Sequence, residues 1–216
     1  MDAFCDTNVL IGYVFILDYL NRHSSFVFNE YSTIFYSNNV KDEYDKVFKN
    51  KYKKLSNQII DLQNYLEMTT KEFYDLNLIK KELNDTDYKD FIDFLDSFWN
   101  NYLEYNSYIT LTELFNSLDI CRKDLKENIF FRDLKLKDML TFIGNRESNY
   151  EEIDYKLKSL NVHRSDRKII LDAHDINLKR KNLLDFITFD ENFFNGIRCI
   201  EEFTFNSIKS KYDFFN

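Results

Sequence analysis

Apolar and polar positions along this chain fall into two rhythms. Near both ends, short apolar runs alternate with amphipathic stretches; between them the pattern is amphipathic almost throughout. Ala3 to Cys5 is a short apolar run that ends in Asp6-Thr7-Asn8. After it Val9, Leu10, Tyr13, Val14, Leu17 and Leu20 recur at helical spacing, which predicts strand, turn, helix. Thr33 to Tyr36 is β-branched and aromatic, and Ser37-Asn38-Asn39 is a helix-capping cluster before a long charged segment from Val40. Two strands around a helix of about 14 residues predict a βαβ unit and a parallel sheet.

From Leu55 to Leu160 the signal is helical. Tyr88, Phe91, Leu95, Phe98, Trp99 and Tyr102 share one face, and Leu111, Leu114, Phe115, Leu118, Leu125 and Ile129 share another. An aromatic stripe at this spacing can line a ligand groove, but packing against a neighbouring helix is the commoner explanation. The α/β rhythm returns at Ser165: Ile169, Ile170, Ala173 and Ile176 mark a buried helix face, and Phe186 to Phe189 reads as a strand ending at Asp190. A last strand is expected between Cys199 and Phe205, then a basic and aromatic helical tail. The expected division is a single domain, with a core of residues 1–50 and 160–216 and a helical insertion of residues 55–160.

Composition narrows the class. The 216 residues carry 44% hydrophobic side chains, enough for a substantial core. Three glycines and no proline, with abundant Phe, Tyr, Asn, Lys and Ile, look like low-GC codon bias. The apolar stretch from Val9 to Leu20 is broken by Gly12, Tyr13 and Asp18 and is too short to span a membrane. Asp2 and Asp6 stand where a signal peptide would need basic residues, so a cytoplasmic protein is expected. Cys5, Cys121 and Cys199 have neither metal-ligand nor disulfide spacing and read as buried thiols. A net charge of −8 opposes passive attraction to nucleic acid, unless bound cations reverse the local field.

In a parallel α/β sheet, strands end and following helices begin on one edge, where such folds place their sites. Asp6 and Asp190 end strands, and Glu43 and Asp166 lie in the first turns of helices read as capped by Asn39 and Ser165. All four should face one cleft. Crowded carboxylates stay ionised only with a multivalent cation among them, and an all-oxygen set selects Mg²⁺ or Mn²⁺ over zinc. The positive ends of the two helices would also help hold Glu43 and Asp166 ionised.

These residues carry a pattern. Asp6-Thr7-Asn8-Val9-Leu10 resembles the opening motif of the PIN-domain (PilT N-terminus) nucleases, and Thr188-Phe189-Asp190-Glu191-Asn192-Phe193 resembles their closing motif. Val40 to Glu43 matches the central acid and Asp166 to Ala173 the helix bearing the third. The resemblance covers about the first 50 and last 55 residues. It implies a three-layer α/β/α fold around a parallel sheet, in which Asp6, Glu43, Asp166 and Asp190 hold one or two Mg²⁺ or Mn²⁺ ions. It further implies hydrolysis of RNA phosphodiesters to 5′-phosphate and 3′-hydroxyl ends, with Asn8 and Thr188 orienting the ligands. The leading biological context is a toxin ribonuclease held inactive by an antitoxin, followed by RNA processing or decay; a homodimer is also implied. The interval between Glu43 and Asp166 far exceeds that of small toxins of this class, which is where the helical insertion falls.

Around the acids, Lys46, Lys49, Lys51, Lys53 and Lys54 interleave with Phe48 and Tyr52, a track suited to unpaired RNA or else an ordinary solvated face. Arg164, Arg167 and Lys168 form a second basic patch. Asp172 and Asp175 are turned about 120° and 180° from Asp166 on a helix, which predicts solvent exposure. His163 and His174 lack partners at ligand spacing and read as structural. A phosphatase of the haloacid dehalogenase type needs Asp-x-Asp, and Asn8 stands at the third position. The remaining rival is a PIN-like binding module that uses the helical insertion as its interaction surface.

Overall fold

The first apolar run is strand β1 (Asp2–Cys5), in which Ala3, Phe4 and Cys5 are fully buried. In the computed structural model, which describes residues 1–16, 18–68, 73–74 and 109–214, β1 is the middle of a five-stranded sheet. Its other strands are β2 (Thr33–Tyr36), β5 (Leu140–Phe142), β6 (Asp185–Ile187) and β7 (Ser207–Lys209). The spatial order is β5-β2-β1-β6-β7, and every pairing is parallel. The protein is therefore α/β with a parallel sheet. Chain order runs outward from β1 through β2 to β5 and then resumes on the other side of β1, so a topological switch point lies between β1 and β6.

The described residues form two units. Met1–Val14, Leu20–Val47 and Lys135–Asn216 make the first, which holds the sheet; Phe15–Tyr19 and Phe48–Leu134 make the second. In the first unit, helix α1 (Thr7–Val14) ends earlier than its periodicity predicts, and helix α2 (Asn21–Glu30) follows. Asn21 donates its side-chain amide to the carbonyls of Gly12 and Tyr13 at 2.8 and 3.2 Å, satisfying groups that a continuing helix would have bonded. A Cβ on Gly12 would press on Ser24 and Leu20, so the glycine permits the close approach of α2. Leu17, counted in the predicted stripe, lies outside the described residues.

Helix α3 (Asn38–Glu67) follows β2. Its cap is Ser37, whose hydroxyl accepts from the Val40 amide at 3.4 Å, and not Asn39 as read from the sequence. Glu43 consequently lies in the second turn and loses the helix-terminus stabilisation expected for it. The second unit contains an antiparallel ribbon of β3 (Phe73–Tyr74) and β4 (Ile109–Thr110), then helix α4 (Leu111–Lys123), a π-helical turn (Asp124–Asn128) and the start of α5 (Ile129–Met139). Thr110 and Glu113 form a reciprocal capping box on α4. Of the predicted stripe, Leu114, Leu118, Leu125 and Ile129 are buried, together with Leu55, Ile59, Leu62 and Leu66 of α3. The stripe from Tyr88 to Tyr102 lies outside the described residues.

Three further elements depart from the sequence reading. Leu140–Phe142, within the stretch read as helical, pairs with β2 as the outer strand. Helix α6 (Glu151–Ser159) and helix α7 (Arg164–Leu178) follow, the latter capped by His163, whose ring accepts from the Ser165 amide, rather than by Ser165. Beyond β6 and the short helix α8 (Glu191–Ile197), the last strand is Ser207–Lys209 and not Cys199–Phe205. Phe203 and Phe205 pack instead around His174, and Asn206 starts the new strand by bonding its amide to the Leu184 carbonyl and its side chain to Asp185. Of the three thiols, Cys5 and Cys121 are buried as expected, but Cys199 is exposed because it follows the end of α8. Among the described residues no helix is long and apolar enough to cross a membrane.

Candidate functional site

The carboxyl ends of β1 and β6 meet at the switch point, and polar side chains lace the crevice there. The Asp6 amide continues the β1–β6 pairing by donating to the Ile187 carbonyl at 2.9 Å. Its carboxylate, 5% exposed, accepts from the Thr7 amide and from the Thr188 hydroxyl, both at 2.7 Å. Because Thr188 gives its one proton to Asp6, its oxygen accepts from the Asn8 side-chain amide at 3.4 Å and the Asp190 backbone amide at 3.2 Å. Asn8 completes the stitch by accepting from the Phe189 amide at 3.1 Å. Asn8 and Thr188 thus hold the ends of β1 and β6 in one register and fix how Asp6 faces the crevice.

The other acids come from helix starts. Glu43, half-buried on α3, accepts from the Thr7 hydroxyl at 2.9 Å. That contact ties α3 to the turn after β1, and sequence reading assigned Thr7 no role. Asp166, in the first turn of α7, accepts from the Ser165 hydroxyl at 3.1 Å. Asp190 caps α8 by accepting from the Phe193 amide at 2.9 Å, leaving its second oxygen for other partners.

Electrostatics shows that these acids feel one another. Asp6 is raised from the ordinary 3.8 to about 7: burial is the largest cause, the bonds from Thr188 and Thr7 oppose it, and the charges of Glu43 and Asp166 add to it. Asp166 is raised chiefly by burial, with the Ser165 bond opposing it, Glu43 and Asp190 adding to it, and His163 lowering it. The ion pairs among the described residues engage other carboxylates, including Asp2, Asp18, Asp154, Asp172 and Asp175, and none of these four. An all-carboxylate donor set with no basic partner suits a hard divalent cation. Among the described residues, no three or more His, Cys, Asp or Glu side chains are grouped closely enough to hold a metal ion.

The basic residues separate into groups. Lys46 is exposed on the part of α3 that belongs to the sheet-bearing unit, whereas Lys49 and Lys53, also exposed, belong to the second unit. Arg164 is exposed beside Asp166. Arg167 is engaged elsewhere: Nε donates to Asp154 at 2.8 Å and Nη1 to the Val162 carbonyl at 3.0 Å, which fastens α7 to α6. His163 serves as the α7 cap, and His174 is buried among Tyr150, Phe203 and Phe205, its affinity for a proton lowered by burial.

Asp172 and Asp175 depart most sharply from expectation. Predicted to be exposed, they are 2% and 4% exposed, because Arg146, Glu147 and Tyr150 of the segment before α6 bond onto α7 there. Asp172 accepts from Arg146 at 2.9 Å and from Asn39 at 2.7 Å; Asp175 accepts from the Tyr150 hydroxyl at 2.8 Å and Lys179 at 2.6 Å. Two adjoining clefts result, of about 390 and 420 Å³, sharing Asn39 and Lys168 and flanking the start of α7. Compared with known proteins, the chain matches no family model, no curated protein and no solved structure.

Proposed function

We propose that this protein is a metal-dependent endoribonuclease of PIN type whose Asp6, Glu43, Asp166 and Asp190 bind Mg²⁺ or Mn²⁺. The observation that supports the reading is that Asp6, at the switch point of a parallel sheet, feels the charges of Glu43 and Asp166, and Asp166 those of Glu43 and Asp190, with no basic side chain paired to any of the four among the described residues. Structural acids are ordinarily paired or solvated; Asp6 is buried and held by two hydrogen bonds, which is how a ligand is aimed rather than how a surface charge is tolerated.

Bound ions would supply Lewis-acid polarisation of the scissile phosphate and a water made nucleophilic at neutral pH. The chain's own contribution is positional. Thr188 and the Thr7 amide hold Asp6, the Thr7 hydroxyl holds Glu43, and Asn8 holds the end of β6 so that Asp190 follows at a fixed place. A carboxylate set that leaves coordination positions open would fit Mg²⁺, an ion that keeps several waters. Lys46, Arg164 and Lys168 carry the charge that offsets the repulsion between an acidic protein and RNA. The same reading includes a three-layer α/β/α core, since β1 and β6 bury consecutive residues and so bury both faces. It also keeps the toxin context, with an antitoxin as regulator and a homodimer as assembly.

Purified protein incubated with single-stranded RNA, with and without Mn²⁺, beside folded Asp6→Asn protein, tests the proposal. Cleavage should require both the metal and Asp6. Equal cleavage by wild type and variant would remove the site, while metal-independent RNA binding without any cleavage would favour the binding-module alternative.

A further inference from the structure

Building on the nuclease reading, we propose that the cleft between α7 and the Ile143–Tyr150 segment is a nucleotide-binding pocket, taking one unpaired guanosine of the RNA strand beside the cleaved phosphate. Its volume of about 390 Å³ suits a nucleotide, and ligand sites begin near this size. Asn39, Asn145, Arg146, Ser148, Asn149 and Lys168 line it. A lining this polar suits a hydrogen-bonding occupant and gives little to an apolar one.

Charge admits a phosphate at one point of the cleft. The Asp172 carboxylate is paired with Arg146 at 2.9 Å, and the Glu147 carboxylate shares Lys179, at 3.1 Å, with Asp175, which leaves Lys168 as the cation that can take an anion. Lys168 is exposed and, among the described residues, has no carboxylate partner. It lines both this cleft and the adjoining one, which carries His163, Arg164 and the Asp42 carboxylate and lies next to Asp166 in sequence. A strand leaving the acidic rim would pass Arg164, set a phosphate on Lys168 and place the next base in the pocket.

The pocket is built in advance. Arg146 Nη1 donates to Asp172 and, at 3.4 Å, to the Lys168 carbonyl; the Glu147 amide and Tyr150 hydroxyl donate to Asp175; the Asn38 side-chain amide donates to the Asn145 side-chain oxygen Oδ1 at 2.8 Å. Fixing a wall from both α7 and α3 lowers the ordering cost of binding. Those bonds use one edge of the guanidinium. Its Nε and Nη2 have no partner among the described residues, and that free fork matches the adjacent O6 and N7 acceptors of guanine. Unpaired bases expose those edges, as RNA recognition in single strands requires.

The test is binding of fluorescein-labelled oligouridylates, each with a single central G, A, C or U, to folded Asp6→Asn protein, alone and combined with Arg146→Lys, Lys168→Ala or Lys158→Ala. The G oligomer should bind about ten-fold tighter than the others, and Arg146→Lys, which keeps the charge and loses the fork, should abolish that preference. Lys168→Ala should weaken all four oligomers alike and lower the salt slope by about 0.7, and Lys158→Ala, on α6 away from the pocket, should change nothing. No base preference, or a preference that survives Arg146→Lys, overturns the pocket; binding indifferent to Lys168→Ala overturns the strand path. If wild type still cleaves RNA with Mn²⁺ in those cases, the nuclease reading stands. Neither cleavage by wild type nor binding by the variants overturns both.

Discussion

Asp6 is costly to ionise, and that cost makes its role measurable. Its folded pKa of about 7 lies above the ordinary 3.8, so between these values the folded protein holds a proton that the unfolded chain has released. Stability from this group is complete below pH 4 and is lost as pH rises through 7, a loss of roughly 4 kcal/mol if the whole shift is expressed. Denaturant unfolding of metal-free protein should therefore show stability falling between pH 4 and pH 7.5, and Asp6→Asn should be more stable than wild type at pH 7.5 with a flatter profile. A wild-type profile that rises over this window would show that Asp6 is not held as described. Thr188→Val tests its support: with the donor gone, the carboxylate loses one of its two bonds and Mn²⁺ affinity should fall about 10- to 100-fold by calorimetry.

At the level of elements, two junctions carry the site. The α1–α2 crossing depends on Gly12, where a methyl group would meet Ser24 and Leu20; Gly12→Ala should cost about 1 to 3 kcal/mol in chemical denaturation. The clamp of Ile143–Tyr150 onto α7 depends on Asp172, a buried acid that neutralises Arg146 and bonds Asn39. Asp172→Ala leaves a partly buried guanidinium unpaired and should destabilise by roughly 3 kcal/mol, with faster hydrogen exchange at the amides from Arg146 to Tyr150. Unchanged exchange there would mean that the segment is held by Asp175 and Tyr150 alone. Helical geometry placed Asp172 and Asp175 away from Asp166, and they do face away from it. The inference from there to solvent failed because a loop distant in sequence covers that side of the helix.

For the whole molecule, an acidic protein that collects carboxylates at one sheet edge should be stabilised by the cations that neutralise them. Millimolar Mn²⁺ should raise the melting temperature of wild type and leave Asp6→Asn unmoved; at 100 times the dissociation constant the gain is about 2.7 kcal/mol. An equal rise in both proteins would mean that the cation binds elsewhere. The sheet explains why the edge has this composition. Where chain order reverses between β1 and β6, the following segments diverge and leave a crevice, and Asp6 stands directly after β1 at its mouth, within electrostatic reach of Glu43 and Asp166.

The sequence alone determined what depends on neighbours along the chain. Strand β1 and its turn, β2, the burial of Ile169, Ile170 and Ala173, and the order of the four acids follow from periodicity and composition, which local sterics and burial convert directly into structure. Tertiary structure decided what depends on distant partners. Asn21 ends α1 by reaching back to its carbonyls, Leu140–Phe142 becomes a strand because β2 offers an unpaired edge, and the last strand starts at Ser207 because Phe203 and Phe205 are drawn to His174. The contact of Thr7 with Glu43 and the pocket beside Lys168 arose in the same way, from residues whose nearness is set by the folded path and by no spacing a linear pattern contains.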